Sequence, residues 1–262
     1  MARSRADELV VEQGLAPSLE KARALILAGQ VSCGQRRVEK AGDLLPADAE
    51  LSLATGSKYV SRGGLKLEHA LDRFHVDPSG RRCLDVGSST GGFTDCLLQR
   101  GATSVVAVDV GSGQLDWRLR NDARVSVLEG VNARELQPSQ VGEAPSLVVG
   151  DVAFISLTKV LPALRRCGPD AEMLLLVKPQ FEAARELVGK GGVVRDPATW
   201  RNVLVRIARA LSEQGCSVLG ATASPIAGPA GNREFFLHAV AAAEPAFDVA
   251  ALDAAIAECQ TR

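Results

Sequence analysis

Aromatic residues are scarce in this chain of 262 residues, at 4%, with one tyrosine and two tryptophans. Its core must be built from alanine, valine and leucine, within an apolar share of 46%. No apolar run approaches the ~20 residues that cross a bilayer. Met1 to Glu12 is of mixed charge and lacks the apolar centre of a signal peptide. These absences predict a cytoplasmic protein without membrane contact. The six cysteines, at positions 33, 83, 96, 167, 216 and 259, include no C-x-x-C pair, and the three histidines give no zinc-ligand spacing. Buried free thiols and no metal are expected. Excess charge is missing too. With 30 Lys/Arg and 31 Asp/Glu the net charge is −1, so no overall basic field advertises nucleic acid.

The dinucleotide fingerprint G-x-G-x-x-G is also absent, although a glycine-rich turn is present. Cys83-Leu84-Asp85-Val86 reads as a strand, Gly87-Ser88-Ser89-Thr90-Gly91-Gly92 as a tight loop, and Phe93 to Arg100 as a helix. A strand, a glycine loop and a helix N-terminus form the usual nucleotide site of a doubly wound sheet. A second strand, Ser104 to Asp109, ends in an acid, where a ribose diol would be held. Asp85 puts an anion where a dinucleotide would place phosphates. It suits a cationic ligand, such as the sulfonium and amino groups of S-adenosylmethionine. Asp85, the loop 87–92, Phe93, Asp109 and Asp151 are therefore candidate cofactor contacts. Asn132, after the third strand, is a candidate for the adenine.

Two segments are predicted. Residues 1–54 read as a small α+β module, 55–58 as a polar linker and 59–262 as a Rossmann-like domain. In the module, Ala6–Gln13 and Leu19–Ala28 are helices, the second capped by Ser18 with Lys21 at the box position. Ala22, Leu25 and Ile26 share one face of it. Short strands follow at Val31–Cys33, Arg37–Val38 and Glu50–Leu53. In the larger segment Leu67, Ala70, Leu71 and Phe74 space as a helix with Lys66 in its first turns. Strands at 82–86, 104–109, 125–128, 146–150 and 172–178 alternate with helices at 93–100, 114–121, 157–166 and 197–214. Asp196 caps the last of these, and Pro197 is its first residue. Such alternation implies a mostly parallel sheet. Cys216–Ala223 and Glu234–Ala241 read as an antiparallel edge hairpin, and Ala246–Cys259 as an amphipathic acidic helix. Asp85, Asp109, Asp151 and Lys178 all fall at carboxyl ends of strands, where ligands sit in such sheets. Lys178 follows a strand apolar enough to desolvate it partly, which makes it a usable base.

The pattern Gly14-Leu15-Ala16, Ser18, Ala22, Leu25-Ile26, Gly29 and Val31 resembles the αL-type RNA-binding module. That resemblance makes Arg3, Arg5, Lys21, Arg23 and Lys40 candidate RNA contacts. Residues 1–60 nevertheless hold eight Lys/Arg and eight Asp/Glu, and Leu19 stands where the module commonly has a cation. Further motifs run through the rest of the chain in order. They are Tyr59-Val60-Ser61-Arg62-Gly63-Gly64-Leu65-Lys66-Leu67, Asp85 to Thr94, Gly150-Asp151-Val152-Ala153-Phe154-Ile155-Ser156, Leu176-Val177-Lys178-Pro179-Gln180-Phe181-Glu182, and Gly231-Asn232-Arg233-Glu234-Phe235-Phe236. With the module, they resemble the TlyA family of FtsJ-like ribosomal RNA 2′-O-methyltransferases, whose members have also been called hemolysins. The resemblance implies a class I methyltransferase sheet and S-adenosyl-L-methionine as cofactor. It implies a cytidine ribose in ribosomal RNA as substrate, and a catalytic tetrad of Lys66, Asp151, Lys178 and Glu234. Two alternatives stay open: a methyltransferase acting on a small molecule, favoured by the neutral charge and Leu19, and a non-enzymatic RNA-binding or hemolysin-like protein. The oligomeric state is not legible.

Overall fold

The computed structural model describes residues 3–27, 31–34, 36–53, 58–228 and 230–260. The chain divides into two compact units, residues 1–58 and 59–262. Residues 55–57 of the expected linker lie outside the described residues, as does Ala28 at the end of the second expected helix.

The smaller unit contains β1 (Arg3–Arg5), α1 (Ala6–Glu12), α2 (Leu19–Leu27), β2 (Val31–Cys33), β3 (Arg36–Arg37), β4 (Leu44–Pro46) and β5 (Leu51–Leu53). β2 pairs antiparallel with both β3 and β5, and β1 pairs antiparallel with β4. The Ser18 hydroxyl accepts the Lys21 amide at 3.2 Å, which caps α2 as expected. Ala22 and Ile26 then join Leu9, Val10, Val31 and Leu51 in a small core. The β1–β4 pair is not foreseen from the sequence. Three-residue strands without apolar alternation leave no periodic signal.

The larger unit opens with α3 (Gly63–Phe74), which starts four residues before the first of its apolar series. There follow β6 (Arg82–Val86), α4 (Gly92–Gln99), β7 (Ser104–Asp109), α5 (Trp117–Arg120), β8 (Val125–Glu129), α6 (Pro138–Val141), β9 (Leu147–Gly150), α7 (Leu161–Cys167), β10 (Glu172–Val177), α8 (Pro179–Glu182), α9 (Pro197–Glu213), β11 (Cys216–Ala223), β12 (Phe235–Ala241) and α10 (Val249–Gln260). The seven strands form one sheet in the order β11-β12-β10-β9-β6-β7-β8. β6 to β10 pair in parallel, and β12 runs antiparallel to both β10 and β11. This is a Rossmann-like sheet with an antiparallel edge hairpin.

Alternate strand residues face opposite layers. Leu84, Val106, Val148 and Leu175 pack under α7, α9 and α10, while Cys83, Val105, Val149 and Leu174 pack under α3 and α4. Few aromatics are needed. Phe235 and Phe236, neighbours on β12, face opposite layers and meet Trp200 and Phe93 with ring centroids 5.9 and 6.0 Å apart. Five cysteines are buried and none is bonded to another.

Two expected helices are shorter. The 114–121 segment becomes α5 because the Asp116 carboxylate accepts the Arg118 amide and caps a later start. The 157–166 segment divides into a 3-10 turn, Leu157–Lys159, and α7. Pro162 lacks the N–H that a continuous helix would need, and it falls in the first turn of α7, where the amide is dispensable. The tail α10 is no free amphipathic helix. Leu252, Ala255 and Ile256 are buried in the core, and Glu258 accepts the Thr222 hydroxyl and the Ala223 amide.

Candidate active site

The parallel strands end together on one edge of the sheet, and the antiparallel β12 begins there. Val177 on β10 is in register with Phe235 on β12, so Lys178 and Glu234 are the next residues at that edge. A cavity of about 580 Å³ opens along it, within the size range of small-molecule sites. Gly87, Ser89, Asp109, Gly111, Gln114, Asn132 and Arg134 line one part. Asp151 to Ile155 and Lys178 line the other.

The glycine loop is shaped by close approach. Gly87 has φ +85°, and a Cβ there would stand 2.4 Å from the Asp151 carbonyl. Only glycine suits both demands. The Gly87 and Ser88 amides donate to the Val108 carbonyl, and the Ser89 amide donates to Asp109 Oδ2 at 2.8 Å. Asp109 Oδ1 accepts the Gly111 amide at 2.7 Å. Each oxygen keeps a lone pair, so the carboxylate can still receive a ribose diol. Asn132 caps the turn after β8 through its carbonyl oxygen, which accepts from Arg134 and leaves its amide N–H groups for a ligand.

Several expected cofactor contacts are not in the cavity wall. Asp85 is fully buried beneath the loop, where Oδ2 accepts the Thr94 hydroxyl at 2.7 Å and Oδ1 has no hydrogen-bond partner. Burial pushes its carboxyl up to about 7, reinforced by the charges of Asp151 and Asp109 and opposed by Thr94. Phe93 is a core residue stacked on Phe236. Gly91 packs against Leu115 and Leu119, Gly92 against Ser61, and Ser88 is buried. Thr90 is exposed outside the cavity, and its carbonyl accepts the Asp116 amide. A loop that curls around its own helix N-terminus turns most of its residues inward. Composition and spacing do not show which ones.

Lys66, Asp151, Lys178 and Glu234 form two close ion pairs. Lys66 Nζ lies 2.6 Å from Glu234 Oε2, both buried. Lys178 Nζ lies 2.5 Å from Asp151 Oδ1, a close ion pair. Gln180 Nε2 reaches Glu234 Oε1 at 3.3 Å, so the chain that carries Lys178 also touches the other pair. A Cβ on Gly228 would stand 2.6 Å from the same oxygen, so the bare backbone there leaves room for the carboxylate.

Beside the Lys178–Asp151 pair stands an aromatic that the sequence does not single out. Phe154 is 91% exposed, holds φ +62°, and lies 5.0 Å from the Phe181 ring. Lys178 Nζ sits over the Phe181 ring at 5.8 Å. Left-handed backbone at phenylalanine is strained and concentrates at functional sites. The available signals were an apolar Val-Ala-Phe-Ile directly after a strand-end acid, and a second Phe after Lys178.

The candidate RNA contacts of the smaller unit divide into two groups. Arg3, Lys21 and Lys40 are exposed, and none of them enters an ion pair among the described residues. Arg5 and Arg23 instead bind Asp7, at 2.8 and 2.9 Å. Hydrogen bonding from Arg5 holds that buried carboxyl down to about 2, with Arg23 adding to it. Arg5 also lies 3.8 Å from Glu8, so much of this pair's charge is already compensated within the fold. Among the described residues no cluster of three or more His, Cys, Asp or Glu could hold a metal, and no helix is long and apolar enough to cross a membrane.

The model of the FtsJ-like methyltransferase family matches residues 59–240, and that of the S4 domain matches residues 4–51. The chain is 49% identical over 238 residues to the 16S/23S rRNA (cytidine-2′-O)-methyltransferase TlyA of Mycobacterium tuberculosis, covering 90% of this chain and 89% of that one. It is 40% identical over 236 residues to hemolysin A of Brachyspira hyodysenteriae, covering 89% and 98%. A solved Streptococcus thermophilus structure described as a hemolysin matches with a TM-score of 0.76 and 40% identity, over 100% of this chain and 98% of that one. The fold is thus that of an FtsJ-like methyltransferase that carries an S4 domain ahead of it in the chain. The chain belongs, within that class, to the TlyA family.

Proposed function

We propose that the protein transfers a methyl group from S-adenosyl-L-methionine to a cytidine ribose 2′-hydroxyl in ribosomal RNA, in the cytoplasm. The observation that carries this is the Lys178–Asp151 contact in the wall of the glycine-loop cavity, joined through Gln180 to the buried Lys66–Glu234 pair. The residues that line the cavity suit the cofactor: Asp109 would hold the ribose diol and Asn132 the adenine edge, with the apolar Val131 and Ile155 and the bare Gly87 beside them. S-adenosylmethionine, when bound, supplies an electrophilic methyl on a cationic sulfur. No metal enters the proposed chemistry.

A ribose 2′-hydroxyl is a very weak acid, so its proton must be accepted as the oxygen–carbon bond forms. Lys178 in its neutral form takes that proton at Nζ, and Asp151 orients the amine and stabilises the ammonium produced. Lys66, fixed by Glu234, is the second lysine of the set. Positioning supplies much of the remaining acceleration.

The reading that the substrate is RNA rather than a small molecule is supported by Phe154. An exposed aromatic beside the reacting pair offers a stacking face to an unpaired base splayed from its helix. The S4 domain supports the same choice.

The test is incubation with labelled S-adenosylmethionine and, in turn, unmodified ribosomal subunits and a bulk metabolite extract. Label is expected in 2′-O-methylcytidine from the subunits. Label in metabolites alone would favour the small-molecule reading. Calorimetry is expected to show binding of S-adenosylmethionine and none of NAD.

A further inference from the structure

The segments that carry the reacting side chains converge on a buried carboxylate the mechanism does not use. Asp151 and Phe154 lie between β9 and the 3-10 turn at Leu157, and Lys178 and Phe181 lie on or beside the single turn of α8. Glu182, the last residue of α8, is 5% exposed. Its Oε1 accepts the Leu157 amide at 2.7 Å, and its Oε2 accepts the Ser156 hydroxyl at 2.6 Å. Arg206 on α9 donates to Oε2 at 2.9 Å and also to the Glu182 backbone carbonyl. A buried carboxylate is stable only with its lone pairs satisfied. Three donors, two from adjacent residues of the loop after β9 and one from α9, therefore fix where these two segments must stand.

The loop after β9 is pinned at both ends. The Asp151 amide donates to the Val86 carbonyl at 2.9 Å, and Ser156 with Leu157 is tied to Glu182. Between these points Phe154 holds a backbone conformation that surroundings must enforce. The α8 turn is pinned likewise, by β10 before Lys178 and by the contacts of Glu182 after Phe181.

We infer that Glu182 is a positioning residue for methyl transfer, clamping the Asp151–Ser156 loop to the Lys178–Glu182 turn and so setting both the Lys178–Asp151 contact and the Phe154–Phe181 pair. The inference rests on the proposed function for the meaning of its activity readout. A carboxylate that merely anchored α9 would lower the melting temperature without affecting the transfer step in particular.

The experiment compares wild type with Glu182→Ala, Glu182→Gln, Ser156→Ala and a core truncation elsewhere in the same layer, Leu252→Ala. Single-turnover transfer is measured at saturating S-adenosylmethionine and RNA. Cofactor affinity, melting temperature and exchange of the Leu157 amide are measured on the same samples. Glu182→Ala is expected to slow the transfer step at saturating cofactor by up to about 10²-fold, the scale of a 1 Å misplacement. Its Leu157 amide should exchange faster. Glu182→Gln should recover part of the rate, because its carbonyl still accepts from Leu157 and its amide can donate to Ser156, while the acceptor for Arg206 at Oε2 is lost. If Glu182→Ala fails to fold, Ser156→Ala carries the test, with a smaller loss in the same direction. Equal rate losses in Leu252→Ala and the clamp variants at matched melting temperature would overturn the inference, as would a wild-type rate in Glu182→Ala. A wild type inactive on every RNA would overturn the proposed function and this inference together.

Discussion

Asp7 in the smaller unit and Asp85 in the larger are both fully buried, yet their environments act on them in opposite directions. Asp7 receives Arg5 and Arg23, which hold its carboxyl down to about 2. Asp85 receives one hydroxyl and leaves an oxygen unpartnered, and burial lifts it to about 7. The cations differ in the same way. Arg3, Lys21 and Lys40 stand exposed, while Lys66 is buried and Lys178 largely so, each against a carboxylate. Exposed charge is screened by salt and suits binding to phosphate. Buried charge is poorly screened and suits chemistry. One neutral chain can thus hold both kinds of site, which its net charge of −1 conceals.

The largest effect is expected when one partner of the buried pair is removed. Glu234→Ala leaves Lys66 without its carboxylate, which costs about 3–5 kcal/mol in other buried pairs. Denaturant unfolding should show that loss, and transfer should fall with it. Unchanged stability would place the pair in solvent and end the contrast between the units.

Asp85→Asn comes next. A carboxyl raised in the fold contributes stability below its unfolded value near 3.8 and loses it as pH rises through about 7. Wild type and variant should therefore melt alike near pH 3.5 and diverge above it, with the variant more stable. The gap is bounded by about 4 kcal/mol at 1.36 kcal/mol per unit. Melting curves from pH 4 to 8 check the sign.

Asp7→Asn should run the other way and be smaller. A depressed carboxyl stabilises above its ordinary value and loses that contribution as pH falls towards 2. The loss on substitution should stay under about 2 kcal/mol, because both arginines are half-exposed and solvent screens them. It should vanish in acid.

Removing the exposed cations, Arg3→Ala, Lys21→Ala and Lys40→Ala together, should flatten the salt dependence of RNA binding by up to about 0.7–0.9 for each phosphate no longer neutralised. Turnover at saturating RNA should hold. The smallest effect is a gain. Leu19, 42% exposed at the start of α2, should steepen the salt slope by less than about one as Leu19→Lys.

The sheet was legible because its strands are short, largely apolar runs. Ser104–Asp109 and Cys216–Ala223 have the same bounds in sequence and structure. The four residues proposed as a tetrad were singled out through ordered motifs rather than periodicity, since Lys66 and Glu234, which meet in the fold, are 168 residues apart. What sequence could not show is side-chain direction within a curled loop. Asp85 and Phe93 sit in the right motif and face the core. Nor could it show second partners such as Glu182, whose role depends on Ser156 and Leu157 arriving from another loop.

The central claim, that Lys178 accepts the ribose proton, is tested most directly by single-turnover methyl transfer across pH with wild type, Lys178→Ala and Lys178→Arg. General-base loss is typically worth ~10²–10⁴-fold, and Lys178→Ala should fall in that range while cofactor binding persists. Lys178→Arg should rescue little, because a guanidinium stays protonated at any working pH. A Lys178→Arg rate near wild type would contradict proton acceptance and leave Lys178 as a fixed positive charge beside Asp151.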